Sequence, residues 1–414
     1  TDCRYIGRKS MSLYFLTFLL LAGGTLCAWF RPQYEERIYL GCWGVATVCL
    51  CFRFGQGTDY GTYHAIYETI PAVIDFSKGY ICGFYPEIGW RLLSAAFKVF
   101  HAPFWVFTMV IGLAEMLLID RFLRRYVPMK TAGLFLLYPV LFVTYMVSGL
   151  RQGWAICLFL GILVPFYMER KWVAYVLGVL LAASFHRVGY AWLVLVVAYY
   201  LPLKGMAGLT GLSVIGGLTL QIGAVEQLLV RILPVYHLKQ FLLKGEISVL
   251  ATGERLVSFG MVILLYGWIK REGKEVERKT ELLLKAYMCN ICFYMLLSGS
   301  AYYASRYAAI FKVLECAVVA ALVLEKKDHV AKAVAGFFFG LTMLMGVKNL
   351  QAMAVNCGYD KPKNNFWDFP YVSVFQREAI EQYIPYEKRL WKKYQIEVED
   401  QKLWMITGEE EGDG

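Results

Sequence analysis

The residues best suited to chemistry are arginines that stand beside a carboxylate, a histidine or a tyrosine in short polar stretches between apolar runs. The candidate site residues are Arg53, Asp59, Tyr60, Glu87, Arg151, Gln152, His186, Arg187, Arg306 and Tyr307. The planar guanidinium of arginine donates paired hydrogen bonds, and this geometry suits phosphate oxygens. These residue types therefore predict an anionic partner.

The composition predicts that a membrane protein carries these residues. Of the 414 residues, 58% are hydrophobic and 18% are charged, and the mean hydropathy is +0.48. Soluble domains carry about 25% charged residues, so the composition excludes a soluble globular enzyme and a disordered chain. The net charge of +10 fits lysines and arginines that flank membrane spans, and we expect no nucleic-acid partner. Cys289 and Cys292 lie in an apolar run without a second ligand pair, so we predict no metal and no cofactor.

Apolar runs of roughly 20 residues predict transmembrane helices, and shorter runs can cross inside a bundle. We therefore predict an all-α, polytopic membrane protein with about 12 transmembrane helices. The runs are 11–30, 37–52, 102–119, 131–147, 150–167, 172–185, 187–201, 207–223, 256–269, 282–298, 306–324 and 330–347. Lys312 and Glu315 lie inside the eleventh run, one helical turn apart, and we expect them to pair with each other.

The charges of the loops predict the orientation of these spans. Sixteen lysines and arginines lie in alternate loops that begin with 31–37, whereas the short intervening loops contain three, Arg151, Arg187 and Arg306. Cytoplasmic loops are enriched in basic residues, so the first set should be cytoplasmic and the candidate residues should face outward. With twelve spans, both termini should also be non-cytoplasmic.

Each candidate also has a structural interpretation. A single arginine at a span end can reach lipid headgroups or pair with a carboxylate. Asp59 can cap a helix that begins near Tyr60, and Glu87 can lie in the first turn of an amphipathic helix over 88–100. His186 can hydrogen-bond a loop carbonyl. Several arginines on the outward side nevertheless favour an anionic partner, because charges at this depth are costly.

The chain is expected to have three regions. Met11 opens the first apolar run, so we interpret residues 1–10 as an N-terminal extension of the transmembrane domain 11–347. Residues 348–414 contain nine basic and twelve acidic residues and no apolar run. We expect this stretch to be an extramembrane segment that ends in a disordered acidic tip.

The order of the motifs resembles the EpsG-like family of Wzy-type bacterial polysaccharide polymerases. The resemblance covers about residues 12–375 and rests on Arg53, Gly57-Thr58-Asp59-Tyr60, Tyr63, Glu87-Ile88-Gly89-Trp90, Arg151-Gln152-Gly153, Phe185-His186, Arg306-Tyr307 and Phe369-Pro370-Tyr371. The acidic motif of the family usually reads Glu-Pro-Gly-Tyr or Glu-Pro-Gly-Phe. Here Ile88 and Trp90 replace its second and fourth residues.

The resemblance implies a GT-C/Wzy-like bundle in the bacterial cytoplasmic membrane that makes exopolysaccharide, capsule or O-antigen. An undecaprenyl pyrophosphate-linked oligosaccharide would be polymerised at the outer face. An acceptor hydroxyl would attack the anomeric carbon while the lipid pyrophosphate leaves, a reaction that needs cations and a base. Arg151 and Arg306, assisted by Arg53, would bind pyrophosphate. The base would be Asp59, Glu87 or His186, and His186 would alternatively bind pyrophosphate.

Other functions remain open from the sequence alone. A different lipid-linked glycosyltransferase would use the same acidic residues. A flippase or transporter of lipid-linked sugars would need polar residues deep within several spans, and these spans contain few. A non-catalytic scaffold in an export complex is a further alternative. Besides membrane lipids, the expected partners of a polymerase are a chain-length regulator and a flippase.

Overall fold

The computed structural model describes residues 12–70, 87–220, 248–357 and 365–377. These residues form an all-helical bundle, as predicted. In chain order, the helices are α1 Leu13–Phe30, α2 Glu35–Cys51, α3 Tyr60–Thr69, α4 Ile88–Val99, α5 Phe104–Tyr126, α6 Lys130–Ser148, α7 Leu150–Met168, α8 Trp172–Ala183, α9 Arg187–Tyr200, α10 Leu203–Leu220, α11 Val249–Arg271, α12 Arg278–Leu296, α13 Ala301–Lys312, α14 Glu315–Lys326 and α15 His329–Asn356. The extension 1–10 and the acidic tip lie outside the described residues.

Within the described residues, each of the twelve predicted apolar runs coincides with one helix, or with the α13–α14 pair. Six of the described helices are long and apolar enough to cross a membrane, or seven if α13 and α14 form one bent span. The membrane character is therefore confirmed, and the count of about twelve crossings stays a prediction. Helix α15 continues past residue 347 to Asn356.

The backbones of α6 and α7 approach each other closely in the hairpin that joins them. The last half of α6, Tyr138–Ser148, is wound as a wide π-helix. The Pro139 carbonyl accepts a hydrogen bond of 2.8 Å from Asn349 on α15. A Cβ atom on Gly153 would lie 2.8 Å from the carbonyl carbon of Tyr145, so only glycine allows this approach. The hairpin places Arg151 and Gln152 at the tip between the two helices.

Helices α13 and α14 are bent by 44° at their junction, and this bend corrects one expectation. Lys312 forms its ion pair with Glu254 on α11, not with Glu315. Glu315 instead accepts a hydrogen bond of 2.6 Å from the Tyr287 hydroxyl. The predicted pair assumed a continuous helix with regular spacing, whereas the bend lies between the two residues.

Residues 365–377 pack across the end of the bundle at which α1 begins and α2 ends. The Phe54 amide donates to the Val372 carbonyl, and the Val374 amide donates to the Phe52 carbonyl, both at 2.9 Å. The Tyr371 hydroxyl donates to the Cys49 carbonyl at 3.1 Å. These contacts fix the start of the loop that leads from α2 to Asp59.

Candidate functional site

Helix α3 begins in a loop that is held against the end of α6. Gly57 has a φ of +125°, and a Cβ atom there would lie 3.1 Å from the carbonyl carbon of Val147. The Thr58 amide lies 3.3 Å from the Ser148 hydroxyl oxygen. Asp59 is the residue immediately before α3, but its side chain makes no capping hydrogen bond. The capping interpretation of Asp59 is therefore wrong, and its carboxylate is left for another role.

Glu87 and Arg151 form a direct ion pair between the start of α4 and the start of α7. The Arg151 Nη1 atom donates to the Glu87 Oε2 atom at 2.6 Å, and the side chains are 14% and 8% exposed. The guanidinium carbon of Arg151 also lies 5.8 Å from the ring centre of Tyr63 on α3. Arg151 therefore joins three helices that are distant in the chain.

Substitution of Glu87 should reveal this ion pair. We expect Glu87→Gln to lower the free energy of unfolding by about 3 kcal/mol, because it leaves a buried charge without its partner. The exchange Glu87→Arg with Arg151→Glu should recover stability. Thermal unfolding in detergent provides the measurement. As a control, Glu277→Gln breaks an exposed pair with Lys279, in which the side chains are 61% and 64% exposed, and should change stability little. Equal effects of the two glutamine substitutions would contradict the assignment.

The glycine of the Glu-Ile-Gly-Trp motif brings α4 against the end of α8. The Gly89 amide donates to the Ser184 carbonyl at 2.8 Å. A Cβ atom on Gly89 would overlap the Ser184 hydroxyl and lie 2.9 Å from its carbonyl oxygen. This close approach places Glu87 near the loop that contains His186.

We expect Gly89→Ala to destabilise the protein by about 1–3 kcal/mol, because the added methyl group forces α4 away from α8. Gly340→Ala is the matched control, since a Cβ atom there meets nothing within 4 Å and alanine favours a helix. Thermal unfolding in detergent, compared for both variants, checks this. If Gly89→Ala changed stability no more than Gly340→Ala does, the close approach of α4 and α8 would not contribute to stability.

His186 is buried in the loop between α8 and α9. Its Nδ1 atom accepts a hydrogen bond of 3.4 Å from the Val188 amide. Burial, assisted by the positive charges of Arg151, Arg306 and Arg187, lowers the pKa of His186 to about 3. The imidazole is therefore neutral near pH 7, and with Nδ1 as acceptor its proton lies on Nε2.

Arg306 lies on α13, next to the start of α7. The Gln152 Nε2 atom donates to the Arg306 carbonyl at 3.0 Å, so α7 and α13 touch here. The guanidinium carbon of Arg306 lies 4.1 Å from the ring centre of Tyr302. Among the described residues, no carboxylate forms an ion pair with Arg306. Its hydrogen-bond donors therefore remain for a ligand.

Asp59 faces the same arginines. Burial raises the pKa of the Asp59 carboxyl, and the positive charges of Arg306 and Arg151 oppose that rise. The structure thus brings together residues from five separate parts of the chain. We call this group the arginine–carboxylate cluster, and its members are Asp59, Glu87, Arg151, His186 and Arg306.

The other candidates lie around this cluster. Arg53 is 2% exposed and donates to the carbonyls of Leu50 at 2.5 Å and Met146 at 2.8 Å, so it joins α2 to α6. Tyr60 is buried against Phe104, with ring centres 5.1 Å apart. Arg187 is exposed. Tyr307 stacks on the ring of Phe293 at 6.1 Å.

One arginine near the site, Arg255, was not among the candidates predicted from the sequence. Arg255 on α11 donates to the Asn290 side-chain oxygen at 3.0 Å, and its guanidinium carbon lies 4.5 Å from the ring centre of Tyr294. Asn290 is fully buried. Arg255 therefore joins α11 to α12. Its one sequence signal was a charge pair, Glu254 and Arg255, at the edge of an apolar run.

The chain was also compared with known proteins. Residues 42–359, about three quarters of the chain, match the model of the EpsG family. The chain belongs to the EpsG family. The resemblance seen in the motifs is thereby confirmed, and the matched range contains every candidate site residue. No curated protein and no solved structure matched the chain. As an EpsG family member with apolar helices, the chain is a membrane protein of polysaccharide biosynthesis.

Proposed function

We propose that this EpsG family protein is a polysaccharide polymerase. It transfers oligosaccharide repeat units from undecaprenyl pyrophosphate to an acceptor at the outer face of the bacterial cytoplasmic membrane. One observation carries the proposal: Arg306 forms no ion pair within the described residues, and its positive charge acts on the ionisable Asp59 carboxyl. A free guanidinium next to a carboxylate is the pair that pyrophosphate departure and hydroxyl attack require.

The reaction forms a bond between the acceptor hydroxyl oxygen and the anomeric carbon of the donor. The bond from that carbon to the pyrophosphate oxygen breaks, and the electron pair leaves with the lipid pyrophosphate. Arg306 and Arg151 stabilise the negative charge that develops on the leaving oxygens. Asp59 accepts the proton of the attacking hydroxyl.

Asp59 suits the role of base better than Glu87 or His186 does. The Glu87 carboxylate is bound to Arg151 at 2.6 Å, which fixes it in a positioning role. His186 carries its proton on Nε2, because Nδ1 is the acceptor for the Val188 amide. A neutral imidazole in this form donates a hydrogen bond, so His186 binds a phosphate or sugar oxygen.

The charges inside the bundle favour transfer over transport. A transporter needs a polar path between the helices. Here Lys312 is paired with Glu254, and Glu315 is bound by the Tyr287 hydroxyl. These groups satisfy one another, whereas the free guanidinium of Arg306 lies at the end of the bundle.

A deletion strain separates the possible functions. Polymer and lipid-linked intermediates are extracted and sized on a gel, and the sidedness of the intermediates is determined. The proposal predicts loss of long polymer and accumulation of complete single repeat units on the outer face. Single units held on the cytoplasmic face would instead mean a flippase. Truncated units that lack one sugar would mean a single-sugar transferase.

A further inference from the structure

A groove opens at the end of the bundle opposite the arginine–carboxylate cluster. It lies between α1, α6, α14 and α15 and has two adjoining parts of about 410 and 430 Å³. Both parts are lined by Trp29, Met129, Val323, Leu324 and Lys332. These volumes lie in the range of ordinary ligand sites.

The inner part of the groove is apolar. Its walls include Leu26, Phe135, Val319, Phe338 and Phe339. The lining of α14 extends from Val319 to Leu324, which corresponds to roughly 8 Å along a helix. An apolar slot of this depth at the end of a transmembrane bundle fits a hydrocarbon chain.

The outer part of the groove carries positive charge. It is lined by Lys327, Lys332 and Glu35. The Glu35 carboxylate is already neutralised by the Lys130 ammonium at 2.8 Å. Neither Lys327 nor Lys332 forms an ion pair within the described chain, and both are exposed. Their neighbour Lys326, in contrast, is paired with Glu272 and Asp328.

We propose that this groove binds an anionic phospholipid of the leaflet next to the basic loops. One acyl chain occupies the apolar inner part, and the phosphate lies between Lys327 and Lys332. The charges are complementary, since basic pockets between transmembrane helices recognise the headgroups of anionic lipids. The site is separate from the cluster and does not depend on the proposed reaction.

The experiment uses the full chain, delipidated in detergent and then exposed to equal amounts of phosphatidylglycerol and phosphatidylcholine. Native mass spectrometry counts the lipids that stay bound. Wild type should retain one phosphatidylglycerol in preference to phosphatidylcholine. Lys327→Gln and Lys332→Gln should each reduce that preference about fivefold. Lys204→Gln, an exposed lysine elsewhere, should leave it unchanged.

Two glycines of α15 provide a matched test of the apolar part. A Cβ atom meets nothing within 4 Å at Gly336 or at Gly340, but only Gly336 lines the groove. Gly336→Phe should fill the groove and remove the bound lipid, whereas Gly340→Phe should retain it. Equal binding of both lipids by wild type, or equal effects of the two phenylalanines, would overturn the proposal. Absence of stoichiometric lipid from wild type would overturn it as well.

Discussion

Replacement of Arg306 with alanine is expected to lower the rate of polymer formation by about 10²–10³-fold, the usual cost of removing one group that stabilises a developing anion. The amount of folded protein should stay close to wild type, because the guanidinium forms no ion pair within the described residues. The contact with Tyr302 at 4.1 Å contributes about 0.5–1 kcal/mol at an exposed position. Polymer yield per mole of protein in the membrane is the measurement.

Two further variants sharpen the Arg306 experiment. Arg306→Lys keeps the charge but loses the paired donors, so it should recover only part of the activity. Arg271→Ala removes an exposed arginine at the opposite end of the bundle and should leave polymer yield unchanged. Full polymer output from Arg306→Ala at normal protein levels would mean that Arg306 does not bind the pyrophosphate.

Replacement of Asp59 with asparagine is expected to lower the rate by about 10²–10⁴-fold, the typical contribution of a positioned base. The base must be ionised, so activity in the wild type should be lost as the pH falls through the pKa of Asp59. Burial raises that pKa above the usual carboxyl value of 3.8, and the acid limb of the pH profile should move in the same direction. Asp59→Asn should abolish this limb along with most of the activity.

Titration of His186 should contribute no limb to the same pH profile of activity. Its pKa is lowered to about 3, so the imidazole stays neutral throughout the range from pH 5 to pH 8. Glu325→Gln replaces an exposed carboxylate at the other end of the bundle and should preserve the wild-type profile. An acid limb that persisted in Asp59→Asn would transfer the role of base to another group.

The sequence predicted the helices well because each apolar run is a local signal. A run such as 330–347 requires a helix in a membrane whatever its neighbours are, since backbone groups must be satisfied within the segment. The number of crossings is a different matter. Short helices such as α8, with 12 residues from Trp172 to Ala183, lack the length of a full span. The helix break between Lys312 and Glu315 was not predicted, because no proline or glycine lies there.

The residues of the arginine–carboxylate cluster were recognisable in the sequence, but their contacts with one another were not. Arg151 and Arg306 stood out because they interrupt apolar runs. The partner of Arg151 is Glu87, at a distance of 64 residues along the chain, and no periodic pattern reports such a contact. The contacts of Arg53 were equally hidden: its type and position fit a phosphate ligand, but its two terminal guanidinium nitrogens donate to backbone carbonyls.

Glycine positions mark where long-range contacts occur. Gly57 and Gly89 both lie in recognised motifs. Glycine is required at these positions because Val147 approaches Gly57 closely and Ser184 approaches Gly89 closely. Such approaches exclude a side chain and depend on how helices from distant parts of the chain pack. They emerge only when the whole bundle is assembled.

The most direct test of the account uses the purified protein in liposomes with undecaprenyl pyrophosphate-linked repeat units as the sole substrate. The products are sized on a gel, and released undecaprenyl pyrophosphate is quantified. The account predicts a ladder of polymers with one lipid pyrophosphate released for each bond formed, and no ladder from Arg306→Ala or Asp59→Asn. A correctly folded wild-type protein that leaves the repeat units unjoined, or a ladder that survives both substitutions, would contradict it.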